Sequence, residues 1–326
     1  MTTLSQATAH GKINLHLGVG AARADGYHDL VTVFQSVDTH DTVTLREDEY
    51  DFPRVDGSAA VSLECDSRVR GEVPEDPGNL AWRAFDLVVD DYAARHGARD
   101  LPPVGIHIDK RIPVAGGMAG GSADAAATLL AADDFLARTY GVASLGRARL
   151  VELGASLGAD VPFTLVGGTA LGTGRGDHLT TMLSRGKYHW ALILSKEGLS
   201  TPKVFGKLDE LRAKRPELTP SLETRAVAEA LIQGDPFALG AALHNDLQAA
   251  ALSLKPDLRR VLELGKDTGA IAGVVSGSGP TCAFLCEDAA AVDQLIVRLS
   301  LELPGTSGLR VSGPAEGAYL GSPAGR

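Results

Sequence analysis

Residues 113–127 read PVAGGMAGGSADAAA. Two glycine pairs, Gly116-Gly117 and Gly120-Gly121, run into Ser122 and an alanine-rich stretch where Ala125, Leu129, Ala132 and Leu136 recur at helical spacing. Glycine tolerates positive φ and lets backbone approach a ligand closely. Ser122 is expected to cap the helix that follows. A glycine loop opening a helix turns free N–H groups and the positive end of the dipole towards one point, where anions bind. The stretch reads either as a phosphate cradle or as a tight turn that lets a helix pack closely. Ahead of it Val104, Ile106 and Ile108 alternate as a strand, so the loop stands between strand and helix, the context that a phosphate reading requires.

The surrounding 326 residues suit two domains, expected over 1–170 and 171–326. Hydrophobic content of 44% provides for a sizeable core, and a net charge of −10 argues against a nucleic-acid-coating surface. It leaves room for an anionic small substrate, since a site can be positive within an acidic chain. Cys65, Cys282 and Cys286 form neither a disulfide framework nor a zinc spacing set. The opening MTTLSQATAHGK lacks an apolar signal-peptide core, and no later run is long enough to span a bilayer. A cytoplasmic location, with no nucleic-acid or membrane partner, is the expectation.

On the N-terminal side, residues 12–19 (KINLHLGV) alternate, with Ile13, Leu15, Leu17 and Val19 on one face and Lys12, Asn14 and His16 on the other. RADGYHDL follows, with an Asp25-Gly26 turn ahead of Tyr27 and His28. Residues 31–37 and 42–45 read as two further strands joined through the polar stretch 38–41. Residues 47–78 read as loop with a short strand at 61–63. A helix is expected after Asn79, with Ala81, Phe85, Val88 and Tyr92 on its buried face.

On the C-terminal side a helix is expected over 145–157. Pro162 disfavours helix at Val161, so Asp160 lies near the end of an element, where an aspartate is ordinarily a cap or turn former. The glycine-dense 167–177 suits a strand and a turn. Residues 188–195 read as a buried strand, and Ser200-Thr201-Pro202 as a helix start. Helices are expected over 223–233, 236–251 and 257–269. AGVVSGSGPTCAFLCE then reads as strand, glycine turn, strand, before a helix over 289–301 and a strand over 309–312.

The chain has no GxxxxGK[ST], no HRD or DFG set, no HExxH, no CxxC and no GxSxG. What it has resembles the GHMP kinases, the small-molecule kinases named for galactose, homoserine, mevalonate and phosphomevalonate. PVAGGMAGGSADAAA resembles that family's central phosphate-binding motif, GKINLHL its first motif and GVVSGSGPTCAFL its third. RADGYHDL, NLAWRA, GADVPF and LSTPKVF resemble stretches of those members whose acceptor alcohol carries a cytidine diphosphate.

The resemblance implies an α+β, two-domain GHMP kinase fold, with an N-terminal domain like ribosomal protein S5 domain 2 and a ferredoxin-like C-terminal domain. The active site would lie in the cleft between them. It implies ATP and Mg2+, with Pro113, Val114, Ala115, Gly116, Gly117, Met118, Ala119, Gly120, Gly121, Ser122 and Ala123 around the ATP phosphates. Mg2+ would be held mainly through ATP, with the Ser122 hydroxyl as the one protein candidate and no dedicated metal site. Asp160 is then the candidate base or orienting group for the acceptor hydroxyl, and Lys12 the cation beside it. Tyr27 and Phe205 would stack on the cytosine, His28 would read its edge, Pro202 would shape the wall, and Asn14 would sit near the alcohol. Gly277 and Ser278 either bring the second domain against the phosphate loop and substrate or form a supporting hairpin turn.

The expected oligomeric state is a monomer or weak homodimer. The alternatives are a GHMP kinase acting on another alcohol, such as mevalonate or homoserine, and a nucleotide-binding sensor without catalysis. The chain departs from the family's usual loop at Ala115, Ala119 and Ala123, where close backbone approach requires negative φ. It departs again at Asp124, where asparagine is common. A carboxylate there must face away from phosphate or help hold magnesium.

Overall fold

The computed structural model describes residues 2–24, 26–48, 58, 60–69, 71–114 and 116–321; Asp25 and Ala115 lie outside them. In chain order the first elements are β1 (Thr3–Ala22), β2 (His28–Glu47), β3 (Ala60–Ser67), α1 (Leu80–His96), β4 (Val104–Lys110) and α2 (Gly120–Tyr140). There follow α3 (Arg147–Leu157), α4 (Val161–Val166), β5 (Thr169–Gly174) and β6 (His178–Thr181). The later elements are β7 (Tyr188–Leu194), α5 (Thr201–Lys214), α6 (Arg225–Gln233), α7 (Pro236–Ala242), β8 (His244–Asn245) and α8 (Gln248–Leu254). The chain closes with α9 (Asp257–Asp267), β9 (Ala272–Val275), β10 (Cys282–Cys286), α10 (Ala289–Glu302), β11 (Ser307–Gly313) and β12 (Tyr319–Leu320).

The antiparallel pair β1–β2 is the spine. The alternating Ile13, Leu15, Leu17 and Val19 are all buried, as their spacing predicts. The two strands expected over 31–37 and 42–45 are one strand. Pairing slips where His10 faces His40 and Gly11 faces Val37, so Asp38 and Thr39 are extra residues of an irregularity in β2 and not a loop. The N-terminal half of β1 extends the sheet through β2, β4 and β3, while the start of β2 pairs with β5, which pairs with β6. The expected division at residue 170 falls inside β5.

Helices α1 and α2 pack together against this sheet. Asn79 caps α1 by accepting a bond from the Ala81 amide at 2.9 Å, and Ala81, Phe85, Val88 and Tyr92 are buried as expected. The alanines of α2, from Ala123 through Ala132, give it a thin profile that brings its axis close to the strands; Ala125, Ala126 and Ala127 are fully buried. None of the described helices is long and apolar enough to cross a membrane.

The second sheet runs β11-β7-β10-β9 with every neighbouring pair antiparallel. Taken in chain order its strands lie 4-1-3-2, the ferredoxin-like arrangement that the resemblance implied. The helix expected over 236–251 is interrupted: α7 ends at Ala242, and His244–Asn245 form β8, which pairs in parallel with β1 before α8 begins. The chain end returns to the first sheet through β12. The two halves are knit together where Trp190 Nε1 donates to Gln35 Oε1 at 3.1 Å and Ser312 Oγ donates to Asp38 at 2.6 Å.

Candidate active site

Lys12 and Asn14 share the polar face of β1. Both are buried, and the Lys12 ammonium donates to Asn14 Oδ1 at 2.9 Å while the Asn14 amide donates to Thr32 Oγ1 at 2.8 Å. The Phe34 ring lies 5.2 Å from the ammonium and packs on Phe163 of α4. The ammonium is thereby held 3.6 Å from Asp160 Oδ2, within ion-pair range and beyond a direct hydrogen bond. Asp160 occupies the N-cap position of α4, and Pro162 sits in that helix's first turn where it needs no N–H partner. The expectation that Pro162 keeps Val161 out of a helix is therefore corrected. The Asp160 side chain makes no capping bond and is 35% exposed, so its carboxylate is open to a ligand.

The glycine loop closes over the same point. The Lys12 amide donates to the Met118 carbonyl at 3.1 Å, tying the loop to β1. The N-cap of α2 is Ala119 and not Ser122, which stands in the third position of the helix, one turn later than its capping role requires. Ala119 has a φ of 58°, so the negative φ expected for it is corrected as well. No side chain caps α2, which leaves the amides of Gly120, Gly121 and Ser122 at its positive end for an anion. The Ser122 carbonyl lies 3.1 Å from the Thr164 hydroxyl, joining the head of α2 to α4. Pro113, Gly116, Met118 and Ala123 are buried, with Val114, Gly117 and Ser122 partly so.

The turn between β9 and β10 meets this loop. A Cβ on Gly117 would lie 2.6 Å from the Ser276 carbonyl oxygen, and one on Gly116 would lie 3.1 Å from Thr281 Oγ1. A Cβ on Gly277 would lie 3.4 Å from Asn14 Oδ1 and 3.9 Å from the Lys12 ammonium. The two glycine turns and the Lys12–Asp160 pair thus converge. Both arrangements left open for Gly277 and Ser278 occur: their turn is the hairpin between the antiparallel β9 and β10, and it sets the second half of the chain against the glycine loop. Asn245, which sequence reasoning missed inside an expected helix, fixes that turn by donating to the carbonyls of Val275 and Gly277, each at 2.7 Å.

Ser278 continues the wall to α5, its hydroxyl lying 2.9 Å from that of Thr201. Pro202 follows at the exposed first turn of α5, and one turn on, the Phe205 ring lies 5.1 Å from that of His28. His28 is buried, with Nε2 2.9 Å from Asp209 Oδ1, a partner on α5 that carried no sequence signal. Tyr27 beside it is 58% exposed.

Asp124 faces away from the loop. Its Oδ2 accepts from the Lys110 ammonium at 2.5 Å, and Lys110 also donates to Asp41 Oδ2 at 2.6 Å, all three side chains being buried. Burial, joined by the Asp41 carboxylate, pushes the Asp124 carboxyl well above its usual range. Burial opposes the charge on Lys110, yet the two carboxylates hold its ammonium above the ordinary lysine value.

The sequence matches the GHMP kinases N terminal domain over residues 79–168 and the GHMP kinases C terminal domain over 227–305. It is 50% identical over 317 residues to the 4-diphosphocytidyl-2-C-methyl-D-erythritol kinase of Corynebacterium diphtheriae, covering 96% of this chain and 97% of that one. It is 50% identical over 316 residues to the Mycolicibacterium smegmatis enzyme of the same name, covering 95% and 90%. A crystal structure of 4-(cytidine 5'-diphospho)-2C-methyl-D-erythritol kinase superposes with a TM-score of 0.70 at 27% identity, over 97% of this chain and 99% of that one. The L. major mevalonate kinase shares the fold alone, with a TM-score of 0.70 at 14% identity over 95% and 96% of the two chains. With the two glycine turns, the Lys12–Asp160 pair and both domain matches in one frame, the chain belongs to the GHMP kinase family.

Proposed function

We propose that this chain transfers the γ-phosphoryl group of ATP to the 2-hydroxyl of 4-diphosphocytidyl-2-C-methyl-D-erythritol, releasing ADP and the 2-phosphate. That reaction belongs to the non-mevalonate (methylerythritol phosphate) route to isoprenoid precursors. The observation that carries the chemistry is the Lys12 ammonium, 3.6 Å from the open Asp160 carboxylate, on the strand that is bonded to the phosphate loop.

Phosphoryl transfer asks for positioning and charge stabilisation with little covalent work. In our reading the backbone of residues 113–123 and the uncapped end of α2 bind the ATP phosphates. Asp160 orients the acceptor hydroxyl and takes its proton as the O–P bond forms, while the electrons of the breaking bond leave with ADP. Lys12 steadies the charge on the transferring group. Mg2+ bound to ATP would neutralise phosphate charge, with the Ser122 hydroxyl as its protein contact.

The acceptor is assigned from the 50%-identical relatives and supported by the side chains gathered on and beside α5. With Asp209 accepting from His28 Nε2, the imidazole Nδ1 is left as an acceptor for the cytosine amino group. Tyr27 and Phe205 supply ring faces, Pro202 the wall, and Asn14, Gly277 and Ser278 the side near the alcohol. A coupled ADP-release assay compares the cytidylated methylerythritol with mevalonate and homoserine. ADP release with the first acceptor alone is expected. Release with either of the others and not with the first would move the chain to another acceptor class.

A further inference from the structure

Asp41, Lys110 and Asp124 form a buried triad that touches neither reacting group. Asp41 Oδ1 accepts from the amides of Arg111 at 2.6 Å and Ile112 at 2.8 Å, while its Oδ2 accepts from Lys110. Lys110 ends β4, and Asp124 lies in the second turn of α2, so the ammonium joins the two ends of the glycine loop directly. A Cβ on Gly120 would lie 3.0 Å from the Lys110 nitrogen, which puts the ammonium immediately beneath the loop's exit.

We propose that Asp41, Lys110 and Asp124 are positioning residues for ATP, clasping the two ends of loop 113–119 so that Ala119 stays left-handed and the α2 amides stay aimed at the phosphates. The inference rests on the reading of residues 113–123 as the ATP-phosphate site.

Two features separate a clasp from simple structural glue. The triad carries two carboxylates against one ammonium, and Asp124 Oδ1 is buried without a hydrogen-bond partner. A buried arrangement of that kind is a weak source of stability compared with apolar packing, so stability alone does not account for it. The loop it closes also holds an alanine at a φ of 58°, a conformation that an L-residue with a Cβ adopts only when its surroundings impose it. On one side of Ala119 the Met118 carbonyl is held by the Lys12 amide, and on the other Gly120 rests over Lys110. Cutting the Lys110–Asp124 link frees the second side.

The test measures the Michaelis constants for ATP and for the cytidylated acceptor separately. Asp124→Ala removes the link yet leaves Lys110 paired with Asp41. The ATP constant is expected to rise about ten-fold while the acceptor constant stays within about two-fold. Asp124→Asn keeps an oxygen for Lys110 and should restore the ATP constant to within about three-fold of the parent. In an Ala119→Gly background, where no Cβ opposes positive φ, the effect of Asp124→Ala should shrink to less than about three-fold. An unchanged ATP constant in Asp124→Ala, a fall in it (as a released Lys110 binding phosphate directly would give), equal movement of both constants, or no rescue by asparagine would each overturn the proposal. If Asp124→Ala does not fold, Asp41→Ala, which removes the other Lys110 acceptor, carries the same comparison; if neither folds, the triad is a folding element and the proposal fails. A parent protein with neither ATP-dependent turnover nor an ATP-dependent rise in melting temperature would instead refute the reading of the loop itself, and this proposal with it.

Discussion

Gly117 and Ser276 bring the two halves of the chain into backbone contact: a Cβ on Gly117 would lie 2.6 Å from the Ser276 carbonyl oxygen. Gly117 also has a φ of 72°. Gly117→Ala therefore meets a left-handed penalty of about 1–2 kcal/mol and a collision that forces the glycine turns apart. The expected result is a rise of at least about ten-fold in the ATP Michaelis constant. Steady-state kinetics at saturating acceptor checks it, and an unchanged constant would show that the two turns need not touch.

Asp160→Asn keeps the shape of the side chain and removes its proton-accepting charge. Because the carboxylate makes no capping bond, the fold should be indifferent to the change. Turnover is expected to fall by about 10²–10⁴-fold, the usual worth of a positioned proton acceptor. ATP affinity by calorimetry should stay at the parent value. Parent-like turnover would remove Asp160 from the chemistry.

Tyr27 is 58% exposed beside buried His28 and partly buried Phe205, a placement that suits a stacking surface. Base stacking on an aromatic ring is worth about 1–3 kcal/mol. Tyr27→Ala should raise the Michaelis constant for the cytidylated acceptor about ten-fold or more and leave that for ATP in place. Tyr27→Phe should stay near the parent. A constant unmoved by the alanine change would count against stacking at this position.

Asp246 anchors the end of β1 to the segment before α6. Its Oδ2 accepts from the Val19 amide at 2.8 Å, the Ser221 amide at 3.2 Å and Arg212 at 3.0 Å, and its Oδ1 lies 2.7 Å from His244 Nε2. Burial alone would raise its pKa, but the His244 ring and those amides hold it below the ordinary carboxylate value. A depressed folded pKa stabilises the fold above the unfolded pKa, and that contribution is lost as pH falls through the folded value. Asp246→Asn should therefore lower stability by about 1–3 kcal/mol at neutral pH. The gap from the parent should close as pH drops below about 3.9, the unfolded carboxylate value. Denaturant titrations at the two pH values measure it; a gap that is constant with pH would contradict the charge-based account.

Much of this was legible in the sequence because alternation and helix starts are local signals. The buried face of β1, the helix start after Asn79 and the turn at Gly277 are all legible from neighbouring residues. The misses have longer-range causes. Ala119 is left-handed because Lys12 and Lys110 hold its neighbours, not because of its own chemistry. The segment 236–251 has helical periodicity throughout, yet Asn245 leaves the helix to pair beside β1 and bond the carbonyls of β9 and its turn. The partners of His28 and Asp124, on α5 and at the end of β4, lie on other elements, and nothing near them in sequence announced the contacts.

The most direct test of the central claim is a proton-coupled phosphorus NMR spectrum of the product formed from ATP and 4-diphosphocytidyl-2-C-methyl-D-erythritol. Carbon 2 of that acceptor bears a methyl group and no hydrogen, so a phosphate on its hydroxyl has no three-bond proton partner. One new phosphomonoester singlet is expected, with the cytidine diphosphate resonances retained. A doublet or triplet, marking phosphorylation at a secondary or primary hydroxyl, or ADP release with no new phosphomonoester, would contradict it.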